Sequence, residues 1–144
     1  MPQADSCIFC DVGKNPANDE KNFVLHRGAH NFVILNLYPY ISGHIMIAPC
    51  AHVGELDATP KETTDEMMDL VKRCQVALRE VYSPHGFNVG MNLGSAAGAG
   101  IPGHIHMHVM PRWSGDTNFM TSVADTRVLP EDLPTTYGKL RQKF

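Results

Sequence analysis

One stretch of this sequence has the hydrophobic spacing of a helix, and the short apolar runs on either side of it have the spacing of strands. The helical stripe repeats at intervals of three and four residues: Met67, Leu70, Val71, Cys74, Ala77, Leu78 and Val81. Thr59 and Glu62 have the spacing of a capping box, with Pro60 at the first helical position, and therefore predict a helix start at Thr59. The segment 83–86, Ser-Pro-His-Gly, predicts its end. An amphipathic helix of this kind packs its stripe against a sheet.

The flanking apolar runs predict five strands. They cover residues 23–26, 32–36, 44–48 and 87–93, and a last strand that starts at His104. Residues 27–30 are a plausible hairpin connection, residues 13–22 read as a loop, and a short helix is expected around residues 135–142. This order predicts an α+β fold with a mainly antiparallel sheet, one long helix packed on it and a short C-terminal helix. We expect residues 1–144 to form a single domain.

Composition excludes several classes of function. The 144 residues carry a net charge of −3, which gives no general attraction to nucleic-acid backbones or to anionic membranes. No apolar run approaches the length of a membrane span, and no basic start precedes an apolar block as in a secretory signal. We therefore expect a cytoplasmic protein without nucleic-acid or membrane partners.

Two of the four cysteines, Cys7 and Cys10, form a C-x-x-C pair. In a reducing compartment this spacing indicates a metal half-site or a redox pair rather than a structural disulfide. The sequence has no second C-x-x-C, so histidines would have to complete a zinc shell. A reduced pair without a metal is the alternative. Cys74 lies on the helical stripe and is expected to fill the core.

The most informative stretch of the chain alternates histidine with apolar residues after Gly103. In an extended strand, successive side chains point to opposite faces. One face then carries His104, His106 and His108, and the other carries Ile105, Met107 and Val109. Single histidines on strands are usually structural, and histidine-rich tracts can be tags or loose metal patches. Strict alternation with apolar residues, at an internal position in the chain, favours a functional site instead.

A glycine-rich segment, residues 94–103, leads into this stretch. Small residues let a backbone approach a ligand closely, and consecutive amides bind anions, although the segment lacks the Gly-Lys-Ser/Thr of a P-loop. Neutral imidazole is a good nucleophile and can bond covalently to phosphorus, while a second imidazole can protonate a leaving oxygen. Together these features indicate nucleotidyl transfer.

The pattern of three histidines separated by apolar residues resembles the signature of the histidine-triad (HIT) superfamily of nucleotide hydrolases and transferases. The resemblance extends from Cys7 to about Met120, with the motif core at about 23–120. Its other matches are Asn36-Leu37-Tyr38-Pro39-Tyr40, Gly43-His44, Asn92 with Gly94, and Pro111-Arg112-Trp113.

The resemblance implies roles for individual residues. The catalytic histidines would be His106, His108, His44 and His104, with His106 as the nucleophile, oriented by a backbone carbonyl of its own strand. The nucleotide-binding residues would be Asn36 at the ribose and Asn92, Gly94, Ser95 and Gly100 around the phosphates. His108 and His44 would contact the α-phosphate, although His44 by itself reads as a core residue.

One position departs from the family pattern. Many members have a glutamine four residues before the first triad histidine, where this chain has Gly100, and one extra residue separates Asn92 from His104. The surrounding segment is most similar to a bacterial branch associated with diadenosine polyphosphate phosphorylases. A glycine there would leave room for inorganic phosphate as the acceptor.

The resemblance also implies a metal. Zinc-bearing relatives use positions that match Cys7, Cys10, His52 and His104, a closed set of four ligands typical of structural zinc. Members commonly form homodimers, so a homodimer is expected.

The resulting prediction is a nucleotidyl hydrolase or transferase acting at the α-phosphate of adenine nucleotides through a nucleotidyl-histidine. Its substrates would be diadenosine polyphosphates, cleaved by phosphorolysis or hydrolysis. The alternatives are a nucleotide-binding regulator with incidental phosphoramidase activity, or a zinc-handling protein.

Overall fold

The computed structural model describes residues 7–38, 41–116 and 131–144 of the chain, which contain five strands and three α-helices. The strands are β1 (Val24–Arg27), β2 (Asn31–Leu35), β3 (Ile45–Pro49), β4 (Gly86–Gly90) and β5 (Met107–Arg112). The helices are α1 (Ile8–Lys14), α2 (Lys61–Tyr82) and α3 (Leu133–Arg141). The predicted matches at Pro39 and Tyr40 and the end of the motif core, residues 117–120, lie outside the described residues.

The strands form one antiparallel sheet in the order β1-β2-β3-β5-β4, which confirms the predicted α+β architecture. The connection between β1 and β2 is the predicted hairpin, closed by a hydrogen bond from the Gly28 amide to the Asn31 carbonyl. Because β5 pairs with both β3 and β4, His108 lies between Met46 and Gly90 near the centre of the sheet.

The sheet has a core on each face because side chains alternate along each strand. On one face, α2 covers Val33, Ile45, Ile47, Ile105 and Val109, all nearly inaccessible to solvent. On the other face, α1 packs against the sheet in a smaller cluster of buried residues. Its members are Cys7, Phe9, Cys10, Val12, Val24, Phe32, Ile34 and Ala48. All seven residues of the predicted helical stripe pack in or against the α2 core.

The predicted capping box of α2 is wrong. The helix begins at Lys61, after Pro60 as the N-cap residue, and no side chain caps it. The Thr59 hydroxyl instead donates to the Glu55 carbonyl at 2.8 Å, in a single 3-10 turn, Leu56–Ala58. The predicted end is confirmed, since the helix stops at Tyr82 and Ser83 adopts a left-handed conformation with φ of 48°.

The amino-terminal segment also differs from the prediction. In place of a loop over residues 13–22, the chain forms the last turn of α1 and a 3-10 helix, Pro16–Asn18. Arg27 holds this segment, because its guanidinium donates to the carbonyls of Val12 and Gly13 and to the Asp19 carboxylate. Arg27 lies on β1, so this stabilisation depends on a tertiary contact that local spacing does not reveal.

The histidine strand begins later than predicted. Regular pairing starts at Met107, while the Ile105 amide donates to the Val53 carbonyl at 2.8 Å outside the sheet. The alternation of faces nevertheless holds from Ile105 onward, since Ile105, Met107 and Val109 contact the α2 core. Within the described ranges, no helix combines the length and apolarity needed to cross a bilayer.

Candidate active site and metal cluster

The three triad histidines follow one another along one face, with decreasing burial. His104 and His106 are buried and His108 is half-buried. The ring centroids of His106 and His108 are 4.9 Å apart, and the Phe9 ring contacts both His104 and His106. The sheet thus presents three imidazoles to different surroundings.

The His106 ring is oriented by the backbone of its own strand. Its Nδ1 lies 3.0 Å from the His104 carbonyl oxygen. A carbonyl can only accept a hydrogen bond, so Nδ1 carries a proton, and in the neutral form of the ring Nε2 is the nitrogen that keeps its lone pair. This is the backbone contact that the family resemblance implies for the nucleophile.

Asn36, His44 and His108 form a hydrogen-bonded chain whose polarity can be assigned. Asn36 Oδ1 accepts from the Tyr38 amide at 2.9 Å, so its Nδ2 faces His44 Nδ1, at 3.1 Å, and donates to it. His44 then carries its proton on Nε2 and donates to His108 Nδ1 at 2.9 Å. His108 consequently has its proton on Nε2, where it can be donated to a ligand.

Burial keeps these imidazoles neutral. Desolvation, followed by the nearby His108 and His106, lowers the pKa of His44 to about 4. Burial and His106 also lower the pKa of His108 below its ordinary value. At neutral pH the rings of His44 and His108 are therefore uncharged, as the hydrogen bonds assigned to them require.

Two adjoining cavities open beside these histidines. The larger has a volume of about 510 Å³ and is mostly apolar, with His106 and His108 among its lining residues. Its other lining residues are Ile8, Phe9, Ile34, Leu35, Asn36, Leu37, Tyr38, Met46, Asn92, Gly98, Gly100 and Ile101. The smaller cavity, about 380 Å³, is lined in part by His44, Asn92 and His108. A cleft of about 600 Å³ between β1 and α3 contains none of the predicted site residues.

The predicted nucleotide-binding residues divide into two groups. Asn36, Asn92 and Gly100 line the larger cavity, and a Cβ built at Gly100 would meet no described atom within 4 Å. Gly94 and Ser95 are exposed and lie outside the lining of both cavities. The sequence did not locate the apolar wall from α1 and β2, because it forms only when α1 packs across the sheet.

The ring nitrogens of His104 are both directed away from the two cavities. Its Nε2 lies 2.8 Å from the Pro49 carbonyl, and its Nδ1 lies 3.4 Å from Cys7 Sγ and 3.6 Å from Cys10 Sγ. Both ring nitrogens therefore have partners outside the cavities. The His104 ring thus contacts the predicted metal ligands, whereas its backbone carbonyl contacts His106; its predicted catalytic role remains a prediction.

The four predicted metal ligands lie together in one cluster. The candidate ligand atoms of Cys7, Cys10, His52 and His104 all lie within 4.8 Å of one another, and Cys10 Sγ is 3.2 Å from His52 Nδ1. The Pro49 carbonyl requires the His104 proton on Nε2, which leaves the Nδ1 lone pair facing the thiols. This donor set fits a tetrahedral divalent metal.

The turn before His44 is supported by contacts that the sequence did not indicate. Gly43 has a φ of +85°, and a Cβ there would lie 2.9 Å from Leu78 Cδ2. The Ser42 hydroxyl accepts from the Glu131 amide at 2.7 Å, and the Glu131 carboxylate accepts from Tyr82 at 2.6 Å. This network connects the segment before α3 to the loop that carries His44.

Known proteins match this chain in sequence and in structure. An AP-4-A phosphorylase of Mycobacterium tuberculosis is 41% identical over 119 residues, covering 83% of this chain and 61% of the relative. A bis(5'-nucleosyl)-tetraphosphatase [asymmetrical] of Schizosaccharomyces pombe is 34% identical over 94 residues, covering 65% of this chain and 50% of the relative. This chain thus spans about half to three fifths of these curated relatives.

A solved structure shares this fold over nearly the whole chain. The crystal structure of a Zn-bound histidine triad family protein from Mycobacterium smegmatis superposes with a TM-score of 0.77 and 28% identity, covering 98% of this chain and 94% of that one. The HIT domain family model matches residues 17–115, which include β1 to β5 and the whole histidine triad. The chain therefore belongs to the HIT domain family.

Proposed function

We propose that this protein is an enzyme that cleaves adenine dinucleoside polyphosphates at the α-phosphate and carries the nucleotidyl group on His106. The observation that supports this most strongly is the hydrogen bond from His106 Nδ1 to the His104 carbonyl, which leaves an unprotonated Nε2 on a ring that lines the larger cavity. A neutral, oriented imidazole is the form that attacks phosphorus.

The proposed reaction has two displacements. His106 Nε2 attacks the α-phosphorus, an N–P bond forms, and the P–O bond to the leaving nucleoside polyphosphate breaks. The positive charge on the His106 ring is stabilised by the His104 carbonyl. An acceptor then attacks the same phosphorus, the N–P bond breaks and His106 regains its lone pair.

The hydrogen-bonded side chains of Asn36, His44 and His108 would stabilise the negative charge that develops on the phosphoryl oxygens. The assigned polarity of these hydrogen bonds leaves the His108 Nε2 proton available for donation. Since this donor is neutral and already held by its neighbours, little reorganisation is needed in the transition state. His108 would also protonate a leaving oxygen that requires a proton.

The larger cavity would bind the nucleoside. Its apolar wall from Ile8, Phe9 and Ile34 suits a purine base, and its volume of about 510 Å³ is in the range of small-molecule sites. Asn36 lines the same cavity and retains one Oδ1 lone pair and one Nδ2 proton for ribose hydroxyls. Asn92, together with the amides around Gly94 and Ser95, would contact the phosphates.

We further propose inorganic phosphate as the acceptor. The open space at Gly100, beside the cavity that contains His106, gives a second anion room to approach. The 41% identical relative named as a phosphorylase supports this choice, and the relative named as a tetraphosphatase supports water as the alternative. With diadenosine tetraphosphate and ³²P-phosphate, label should enter ADP. Unlabelled AMP together with ATP would establish hydrolysis at the α-phosphate instead, whereas unlabelled ADP would place the cleavage at a different phosphate.

The nucleophile is tested by trapping. Denaturation of the wild-type protein during turnover of an α-labelled substrate should leave label on His106, and His106→Ala should abolish both label and turnover. His85→Ala, at an exposed histidine outside the cavities, is the matched control and should behave as wild type. Unchanged turnover in His106→Ala would refute the mechanism. AMP binding without turnover or trapping in the wild type would favour the regulator.

We propose that the Cys2His2 cluster holds structural zinc. Four protein ligands close the coordination shell, so the metal would stabilise the fold and leave no position for substrate. Burial raises the pKa of Cys10, and the charge of a divalent cation would favour the thiolate. Metal analysis should find about one zinc per chain. Cys7→Ser should lose the zinc, while Cys50→Ser, at an exposed cysteine, should retain it.

A homodimer is also proposed, with β4 as the contact. Within the described part of the chain this strand pairs with β5 and with no other strand, and Val89 and Leu93 are 47% and 42% exposed. Residues 86–93 include no charged residue or proline, the usual protection of a strand edge. Light scattering should give twice the chain mass, and Val89→Lys should reduce it to the monomer. The single domain of residues 1–144 and the cytoplasmic location remain predictions.

A further inference from the structure

The first turn of α1 contributes to two sites at once. Cys7 and Cys10 belong to the metal cluster, while Ile8 and Phe9, between them in the sequence, line the larger cavity. Ile8 is 46% exposed at the cavity, whereas Phe9 is only 3% exposed. A shift of this turn would therefore alter both sites together.

Phe9 lies between the two sites. Its ring centroid is 5.3 Å from that of His104, a cluster residue, and 4.9 Å from that of His106 in the cavity. Phe32 packs on it from the sheet, at 6.2 Å. Closely packed rings transmit displacements because the interior leaves little free volume.

The backbone provides a second connection. The ring of His104 faces the thiols, and the carbonyl of the same residue holds His106 Nδ1 at 3.0 Å. Any change in the position of His104 therefore changes the direction of the proposed nucleophile.

The two ends of α1 are attached differently. At the carboxyl end, the Arg27 guanidinium donates hydrogen bonds to the carbonyls of Val12 and Gly13, and this attachment involves none of the candidate metal ligands. At the amino-terminal end, which forms the cavity wall, Cys7 and Cys10 face His104 and His52. A metal bound to these four residues would fasten the end of α1 that lines the cavity.

We infer that metal binding at the Cys2His2 cluster and nucleotide binding in the larger cavity strengthen each other through Phe9, acting as a positioning residue. This inference rests on the proposed function of the cavity and of the cluster. Binding linkage is reciprocal, so the factor by which zinc tightens nucleotide binding equals the factor by which nucleotide tightens zinc binding.

The coupling can be measured without turnover, with AMP as the probe. Calorimetry should give an AMP Kd about tenfold weaker for full-length protein stripped of zinc than for the zinc-loaded protein, within the usual range of couplings. Saturating AMP should also tighten zinc binding by the same factor, measured by equilibrium competition with a chromogenic chelator. Circular dichroism of the stripped protein establishes that it remains folded.

Phe9→Leu separates this coupling from simple stability. The variant keeps all four cluster ligands and should still bind zinc, but its AMP Kd should depend on zinc much less than the wild-type Kd does, because only the backbone connection through His104 remains. Phe87→Leu is the matched control, because Phe87 is half-buried on β4 and packs against the α2 core. It should retain the wild-type coupling.

The outcomes distinguish this inference from the proposed function. Equal AMP affinity with and without zinc, or a zinc affinity that AMP does not change, would overturn the coupling and leave the proposed function standing. Absence of AMP binding to either form would remove both. If the stripped protein unfolds, the chelator experiment on zinc-loaded protein still decides the question.

Discussion

Glu66 connects α2 to the β1–β2 hairpin, and its removal gives a stability prediction that can be worked out from the structure. Its carboxylate accepts from the Ala29 amide at 2.7 Å, from the His30 amide at 2.9 Å and from Asn31 Nδ2 at 2.8 Å. Asn31 is fully buried, and its Nδ2 also donates to the Thr63 carbonyl. The hairpin leads into β2, which forms one wall of the larger cavity.

The magnitude follows from the surroundings of each bond. The part-buried, charge-assisted bond from Asn31 is worth about 1.5–2 kcal/mol, and the two solvent-accessible backbone bonds about 0.5–1 kcal/mol each. Glu66→Ala should therefore lower the free energy of unfolding by about 3 kcal/mol, or roughly 10 °C in Tm for a chain of this size. Glu66→Gln keeps one acceptor oxygen and should lose about half as much.

The pH dependence has a definite sign. Burial alone would raise the pKa of Glu66, but the hydrogen bonds from Asn31, His30 and Ala29 together lower it. A lowered carboxyl pKa stabilises the folded state above the unfolded pKa, and this stabilisation is lost as the pH falls through the folded value. The difference between wild type and Glu66→Gln should thus be full at pH 7 and shrink below about pH 4.

Urea denaturation of each variant, with zinc saturating, measures these differences. Glu80→Gln is the matched control on the same helix, because Glu80 is exposed and forms a surface ion pair with Lys143. Its effect should stay below about 0.5 kcal/mol. An effect of Glu66→Ala no larger than this control, or a Glu66→Gln difference that persists unchanged at pH 3, would refute the reasoning.

Three further predictions concern the site and the cysteines. Because the pKa of His44 is lowered to about 4, its protonation destabilises the fold as the pH falls from about 6.5 to 4. The free energy of unfolding, measured by urea denaturation at each pH, should fall by roughly 2 kcal/mol over this range after allowance for partial exposure. A slope unchanged in His44→Gln would contradict this. Gly43→Ala places a Cβ 2.9 Å from Leu78 Cδ2 at a φ of +85°. The substitution should lower the free energy of unfolding by about 2–4 kcal/mol, measured by denaturation, and should reduce turnover. Wild-type stability of this variant would contradict the prediction. Thiol labelling of the native protein should modify exposed Cys50 well before Cys74, because Cys74 is buried and burial raises its pKa to about 12. Equal labelling rates for the two cysteines would contradict this prediction.

The success of the sequence predictions depended on how local each signal was. The stripe of α2 and the alternation of the histidine strand were predicted correctly, because spacing along the chain determines which face a side chain occupies. The capping box failed because the Thr59 hydroxyl has a competing acceptor at Glu55, within the same short turn. The helix α1 was missed because seven residues carry too little periodicity, and Arg27 on β1 stabilises its end.

The sequence by itself determined the chemistry of this protein: three imidazoles on one face of a strand, a pair of thiols, and an α+β order of elements. Only the tertiary structure decided how those groups are used. Cys7 and His104 are 97 positions apart, yet their candidate ligand atoms lie 3.4 Å from each other, and this contact places the His104 ring in the candidate metal cluster. Likewise, the Tyr38 amide sets the direction of the hydrogen bonds through Asn36, His44 and His108. Periodicity is a property of neighbouring residues, whereas the proton positions and the cavity wall arise from packing between distant segments.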